Sequence, residues 1–310
     1  MSTRITNSMM VGTYKRNLHI SAGKMERLQS QLATNRKNVR LSDDAVSVVK
    51  LLNAKAKQSD TEQFQKNLDD ASAWLTNTES ALHEADTLVK RVYELAVYAA
   101  NDVLGAEERE SIALEVQQLR DQLLTLGNAT LGDKYIFGGY NVSYPPFYAD
   151  PETDEVTLNN IDMVGDEGDL AYMSYEIGVG NVFEVGVSGS AFMGVGEEDN
   201  VWYQMQMFIT ELRNPEQTYE TLSPFISNMQ LIENNILAQQ SEVGGRLARI
   251  DLMRDRYSTD LINYTQMRSD VQDLDQAEGI MNFSMAEAVY RAALNVGGRV
   301  LQPTLMDFLR

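Results

Sequence analysis

The chain has no cysteine among its 310 residues. Disulfides, thiolate nucleophiles and cysteine-ligated zinc or iron–sulfur sites are therefore excluded. Histidine is almost absent, with only His19 and His83, so a histidine-rich metal centre is excluded as well. His83 lies off the apolar row of its segment and reads as solvated surface, while His19 has no carboxylate partner in the pattern. No stretch approaches the roughly 20 apolar residues needed to cross a bilayer, and no membrane insertion is expected. The opening Met1-Ser2-Thr3-Arg4-Ile5-Thr6-Asn7-Ser8 lacks the apolar core of a secretory signal, and none is expected. Phosphate-binding glycine loops, H-E-x-x-H and G-x-S-x-G are all missing. Gly138-Gly139 and Gly244-Gly245 fit none of them. No catalytic residue, cofactor or metal ligand is assigned, and an enzyme would have to work with carboxylates, hydroxyls or lysines.

Proline is also scarce, and its placement is informative. The six prolines are Pro145, Pro146, Pro151, Pro215, Pro224 and Pro303, and eleven of the 20 glycines fall between Gly132 and Gly196. Proline is expelled from helix interiors and glycine weakens them. Long helices are therefore expected in the two flanks and not in the centre.

Positive charge is missing from one region altogether. Between Tyr135 and Leu212 there is no Lys or Arg, against fourteen Asp and Glu, so most of the formal net charge of -19 sits there. Residues 1–57 hold eleven Lys and Arg against Glu26, Asp43 and Asp44, a balance of +8. A field as negative as the overall one repels phosphate, and no nucleic-acid partner is expected.

What the flanks do contain is a seven-residue repeat. Val11, Leu18, Met25, Leu32 and Val39 recur every seven, with Tyr14, Ser21, Leu28 and Asn35 as a weaker second row. Phe64, Leu68, Ala71, Leu75, Thr78, Leu82, Ala85, Val89, Val92, Ala96, Ala99 and Val103 then alternate steps of four and three. Such spacing keeps one stripe facing a partner helix. Gly105 breaks it. A third helix follows through Ile112, Val116, Leu119, Leu123 and Leu126, ending near Gly127-Asn128. In the C-terminal flank, Leu222, Phe225, Met229, Ile232 and Ile236 form one stripe. Val243, Leu247, Ile250, Met253, Tyr257, Tyr264, Met267, Val271, Leu274, Met281 and Met285 continue it. Gly244-Gly245 is expected to mark either a helix break or a close helix–helix approach. The centre reads as β, because Gly178–Val187 alternates apolar with small or polar residues. The run Asp150–Glu155 resembles the start of a calcium loop, but Glu155 stands where glycine is needed and Ile161 where the bidentate glutamate is needed. A solvated acidic surface is the simpler reading.

Amphipathic ends with no compact domain of their own must pair with each other or with further subunits. The fold class is therefore α+β, mainly α: an antiparallel coiled-coil bundle made from both termini, carrying a β-rich insert. Leftover apolar positions, namely Leu294, Val296, Val300, Leu301, Leu305, Phe308 and Leu309, would face further copies. Heterologous contacts of that kind give rings or tubes.

Particular segments resemble the flagellin superfamily. They are Arg4-Ile5-Thr6, Arg16-Asn17-Leu18, Arg27-Leu28-Gln29 and Leu41-Ser42-Asp43-Asp44-Ala45, then Gln65-Lys66-Asn67-Leu68, Thr78-Glu79-Ser80-Ala81-Leu82 and the close Leu305-Met306-Asp307-Phe308-Leu309-Arg310. Gly132-Asp133-Lys134-Tyr135-Ile136-Phe137-Gly138-Gly139 and Gln31-Leu32-Ala33-Thr34-Asn35-Arg36-Lys37 are more similar to the hook-associated proteins of the hook–filament junction than to filament flagellins. Asn35 stands where that family usually has glycine, and Ala45 where many members have proline.

The resemblance implies a non-enzymatic part of the bacterial flagellum, exported unfolded by the flagellar type III apparatus. The implied partners are further copies of itself in a ring, the first hook-associated protein, flagellin and a cytoplasmic export chaperone. The implied layers are residues 1–45 with 265–310 as an inner coiled coil, 46–134 with 203–264 as a middle bundle, and 135–202 as an outward acidic β-rich domain. The expected subunit-interaction residues are Val11, Leu18, Met25, Leu32, Val39, Val271, Leu274, Met281, Met285, Leu294, Val300, Leu301, Leu305, Phe308 and Leu309. The alternatives are a filament-forming flagellin and, in a different class, a carboxylate-based metal-binding module in the insert.

Overall fold

Helices occupy both flanks, as the distribution of proline and glycine requires. The computed structural model describes residues 7–37, 44–100, 104–139, 141–149, 156–158, 161–162, 173–216 and 218–300. The helices are α1 (Asn7–Thr34), α2 (Ala45–Ala99), α3 (Ala106–Gly127), α4 (Gly189–Met193), α5 (Val201–Leu212), α6 (Tyr219–Gln272) and α7 (Gln276–Val300). The strands are β1 (Thr130–Leu131), β2 (Lys134–Tyr135), β3 (Phe147–Ala149), β4 (Val156–Leu158), β5 (Ile161–Asp162), β6 (Ser174–Gly178) and β7 (Asn181–Glu184). All pair antiparallel, as a β1–β2 hairpin, a β3-β4-β5 sheet and a β6–β7 hairpin. The chain divides into two compact units, Met1–Asp60 with Thr259–Arg310, and Thr61–Ser258.

The larger unit has the conventional core. Leu68, Ala71, Leu75, Thr78, Leu82, Ala85, Val89, Val92, Ala96 and Ala99 of α2 are all buried. A second row at a period of seven, Trp74, Ala81, Leu88 and Leu95, is buried beside them. Two rows make the broad apolar face of a helix that sits in a bundle, wider than a single coiled-coil seam. Ile112, Val116 and Leu123 of α3 and Leu222, Met229, Ile232, Ile236, Val243 and Ile250 of α6 fill the same core. Val103 lies outside the described residues. Gly105 caps α3 at its N-terminus, where its own N–H donates to Glu108 Oε2 at 2.9 Å.

One reading of the glycine pattern is corrected here. The helix α6 runs unbroken through Gly244-Gly245, and a Cβ on either glycine would meet nothing within 4 Å. They mark neither a break nor a close approach. Each costs roughly 1 kcal/mol of helix propensity relative to alanine, which the buried row on either side outweighs. Pro224 also lies inside α6. It sits so near the start that the main-chain bond it forgoes is one of the first in the helix.

The insert is laced to the long helices. Phe137 stacks on Phe192 with ring centroids 4.2 Å apart, and Phe147 lies beside them. A Cβ on Gly127 would stand 2.7 Å from the Phe147 ring, so only glycine lets the end of α3 meet this cluster. Asn128 pairs with Phe147 like a neighbouring strand. It donates Nδ2–H to the Phe147 carbonyl and accepts the Phe147 N–H, both at 3.0 Å. The β6–β7 hairpin is held by Asn67 of α2, which donates to the Glu176 carbonyl at 2.6 Å. From α6, Tyr257 donates to the Ile177 carbonyl and Arg246 to the Gly186 carbonyl.

Candidate functional site

The smaller unit is built differently, and its terminal helices carry the candidate site. Packing in it is led by α1 against α7. On α1, Val11, Tyr14, Leu18, Met25, Leu28 and Leu32 are half-buried, the heptad row expected from the spacing. On α7, Gly279, Ala286 and Gly297 are buried. A Cβ on Gly279 would stand 2.8 Å from Leu274 and 3.0 Å from Leu32, and one on Gly297 would stand 1.9 Å from the Tyr14 hydroxyl. Those two glycines bring the helices together at both ends. The Tyr14 hydroxyl donates to the Ala293 carbonyl at 3.1 Å, fixing the upper contact.

A tight corner follows α1. Asn35 adopts φ 54°, the left-handed conformation that glycine favours and asparagine tolerates at a helix C-terminus. Arg36 then forms an antiparallel bridge with Asp273, with the Lys37 N–H donating to the Gln272 carbonyl at 2.8 Å. Asp275 starts α7 by accepting the N–H groups of Ala277 and Glu278 at 2.9 and 3.2 Å. At the start of α2, Asp44 accepts the N–H groups of Val46 and Ser47 at 3.1 and 3.2 Å, a standard N-cap. The hydrogen bonds from the Ser47 side chain and backbone hold the Asp44 carboxyl below its usual pKa.

The other side of α7 is apolar and uncovered. Met281 is 56% exposed, Met285 62% and Val289 59%. These three and Val296 fall within about 80° of one another at 100° per residue. Ile280 and Leu294 lie exposed on the opposite flank of the α1 contact. So α7 carries far more apolar surface than α1 covers, a pattern that marks an interaction surface. Met9, Met10 and Ile20 of α1 and Val46, Val49 and Leu52 of α2 are exposed too.

Of the expected interaction residues, Val11, Leu18, Met25, Leu32, Val271 and Leu274 are half-buried, whereas Met281, Met285 and Leu294 are exposed. Val39, Leu301, Leu305, Phe308 and Leu309 lie outside the described residues, as does the side chain of Val300. Sequence reasoning passed over Val289, although the steps of four from Met281 and Met285 lead to it. It also passed over Gly279 and Gly297, whose role depends on which side chain stands opposite.

The metal-binding alternative finds no footing among the described residues, where no group of three or more His, Asp or Glu could hold an ion. The Asp150–Glu155 run lies outside them. No helix among the described residues is long and apolar enough to cross a membrane.

Known proteins share this arrangement. The family described as the bacterial flagellin N-terminal helical region matches residues 5–142. Flagellar hook-associated protein 3 of Escherichia coli (strain K12) is 26% identical over 311 residues, covering 94% of both chains. A flagellar hook-associated protein structure from Vibrio parahaemolyticus superposes with a TM-score of 0.66 at 21% identity, covering 74% of this chain and all of that one. The flagellar junction protein FlgL of Legionella pneumophila does so with a TM-score of 0.57 at 15% identity, covering 72% and 100%. The fold is that of a flagellin-type helical protein with a β insert. Within that class, the similarity to flagellar hook-associated protein 3 extends over nearly the whole chain.

Proposed function

We propose that this chain is a non-enzymatic structural subunit of the bacterial flagellum, placed between the hook and the flagellin filament. The observation that carries the reading is the apolar row Met281, Met285, Val289 and Val296, left bare on a helix already paired through its other face. Its occupant in this reading is a second copy of the same chain. Val11, Leu18, Met25 and Leu32 close each subunit's own helix pair, and the bare row of α7 meets the next subunit. If the row meets a different face of the next subunit, the contact is heterologous, and a repeat whose rotation closes gives a ring. The first hook-associated protein would bound the ring on one side and flagellin on the other. The layers 1–45 with 265–310, 46–134 with 203–264, and 135–202 would then run from the inside of the tube outwards. The acidic insert would face the medium. Export would proceed through the flagellar type III apparatus, with a cytoplasmic chaperone shielding the C-terminal segment.

Removal of residues 286–310 tests this. The truncated chain is expected to leave cells without attached filaments and non-motile, while its larger unit still unfolds cooperatively. Normal motility would sink the proposal. Immunogold label against the insert is expected as one band at the hook tip, and label along the filament would instead indicate a filament-forming flagellin.

A further inference from the structure

With no cysteine, methionine is the chain's only oxidisable sulfur, and there are 15 of them. Among the described residues, Met25, Met173 and Met253 are half-buried and the others fall at two extremes. Met193, Met205 and Met229 are at most 1% exposed, all in the core of the larger unit. Met9, Met10, Met207, Met267, Met281 and Met285 are all more than 40% exposed. Five of those six lie in the smaller unit, and Met207 alone belongs to the larger one. Met281 and Met285 stand one helical turn apart on the bare row of α7.

We propose that Met281 and Met285 are oxidation sites through which peroxide blocks self-association of the unassembled chain. In each, the thioether sulfur gives up two electrons to the peroxide O–O bond. One oxygen is transferred to sulfur to give the sulfoxide, and the other leaves as water. The product is polar and chiral where the thioether was apolar and flexible. Two adjacent sulfoxides convert the middle of the row into a surface that resists burial, because each S=O must lose its water without a built partner. The core methionines are shielded, so the fold survives the same treatment. Assembly closes the window, since a buried row is no longer accessible to the oxidant. Oxidative damage would thus be confined to chains not yet incorporated. This inference rests on the self-association proposed above.

The test treats the purified full-length chain with hydrogen peroxide and maps sulfoxide by peptide mass spectrometry. Self-association is followed by light scattering before and after treatment. Met281 and Met285 are expected to oxidise about tenfold or more faster than Met205 and Met229. Self-association should fall in step with their oxidation, while the far-UV circular dichroism is unchanged. The double variant Met281→Leu/Met285→Leu should associate like the parent and keep doing so after peroxide. Comparable oxidation rates at core and row would overturn the inference. So would undiminished association of the oxidised parent, or loss of association in the peroxide-treated double variant, which would place the sensitive sulfur elsewhere. Failure of the untreated parent to associate under any condition would instead remove the self-association reading on which this one stands.

Discussion

Leu82 and Leu18 occupy matching positions in two heptad rows, yet Leu82 is fully buried and Leu18 only half so. The contrast extends to the units that hold them. Among the described residues, the buried apolar side chains of the smaller unit are Val48, Ala54 and Ala286, and every other one lies within 61–258. Hydrophobic burial is the main favourable term in folding. The larger unit therefore carries its own stability, and the smaller one has sites ready for a core without the partners to complete it. A heptad row alone says that a helix wants a neighbour. How deeply that row is buried says whether the same chain covers it completely.

The comparison can be broken most directly in the core. Leu82→Ala is expected to cost about 2–5 kcal/mol, whereas Leu18→Ala should cost about 1 kcal/mol or less. Urea denaturation of both variants checks this, and equal costs would erase the distinction between the units. Gly297→Val comes next. Its side chain would collide with Tyr14, so amides of α1 should lose hydrogen-exchange protection. Amides of Ile112 and Val116 should keep theirs, and a joint loss would mean that the units unfold as one. The smallest effect belongs to Asp44. Its pKa is lowered in the folded chain, so its contribution is full above the ordinary value of 3.8 and fades as pH falls through the lower folded value. Asp44→Ala should slightly weaken the start of α2 at neutral pH and make no difference in strong acid. A helix signal with the same dependence on acid in both forms would count against the cap.

Much of this was legible in the sequence, for reasons that differ by region. The buried row of α2 from Leu68 to Ala99 follows directly from its 4-3 spacing, because one helix period decides it. The end of α3 at Gly127-Asn128 was also legible, though the strand-like pairing of Asn128 with Phe147 was not. That pairing joins residues brought together by the fold. The row Trp74, Ala81, Leu88 and Leu95 was passed over because a single seam already accounted for the periodicity. Gly244-Gly245 misled because glycine lowers helix propensity locally, while the packing that keeps this stretch of α6 helical lies on neighbouring turns. The reverse held at Gly279 and Gly297, where glycine matters only through Leu32, Leu274 and Tyr14 opposite. The uncovered face of α7 was foreshadowed by Met281, Met285 and Leu294, but its extent through Val289 emerges only once α1 is seen to cover the other side.

The lacing of the β6–β7 hairpin has a mechanical consequence. Asn67 and Tyr257 hold the neighbouring Glu176 and Ile177 carbonyls of β6, Arg246 holds the Gly186 carbonyl just beyond β7, and the three come from two different helices. A drag force on the hairpin is therefore shared among attachments to two helices. Each bond alone is modest, but bonds that must yield together resist a pull far better than bonds that yield in turn. The insert is thus fastened like a plate held by rivets along two beams, so that force on it passes into α2 and α6 at once.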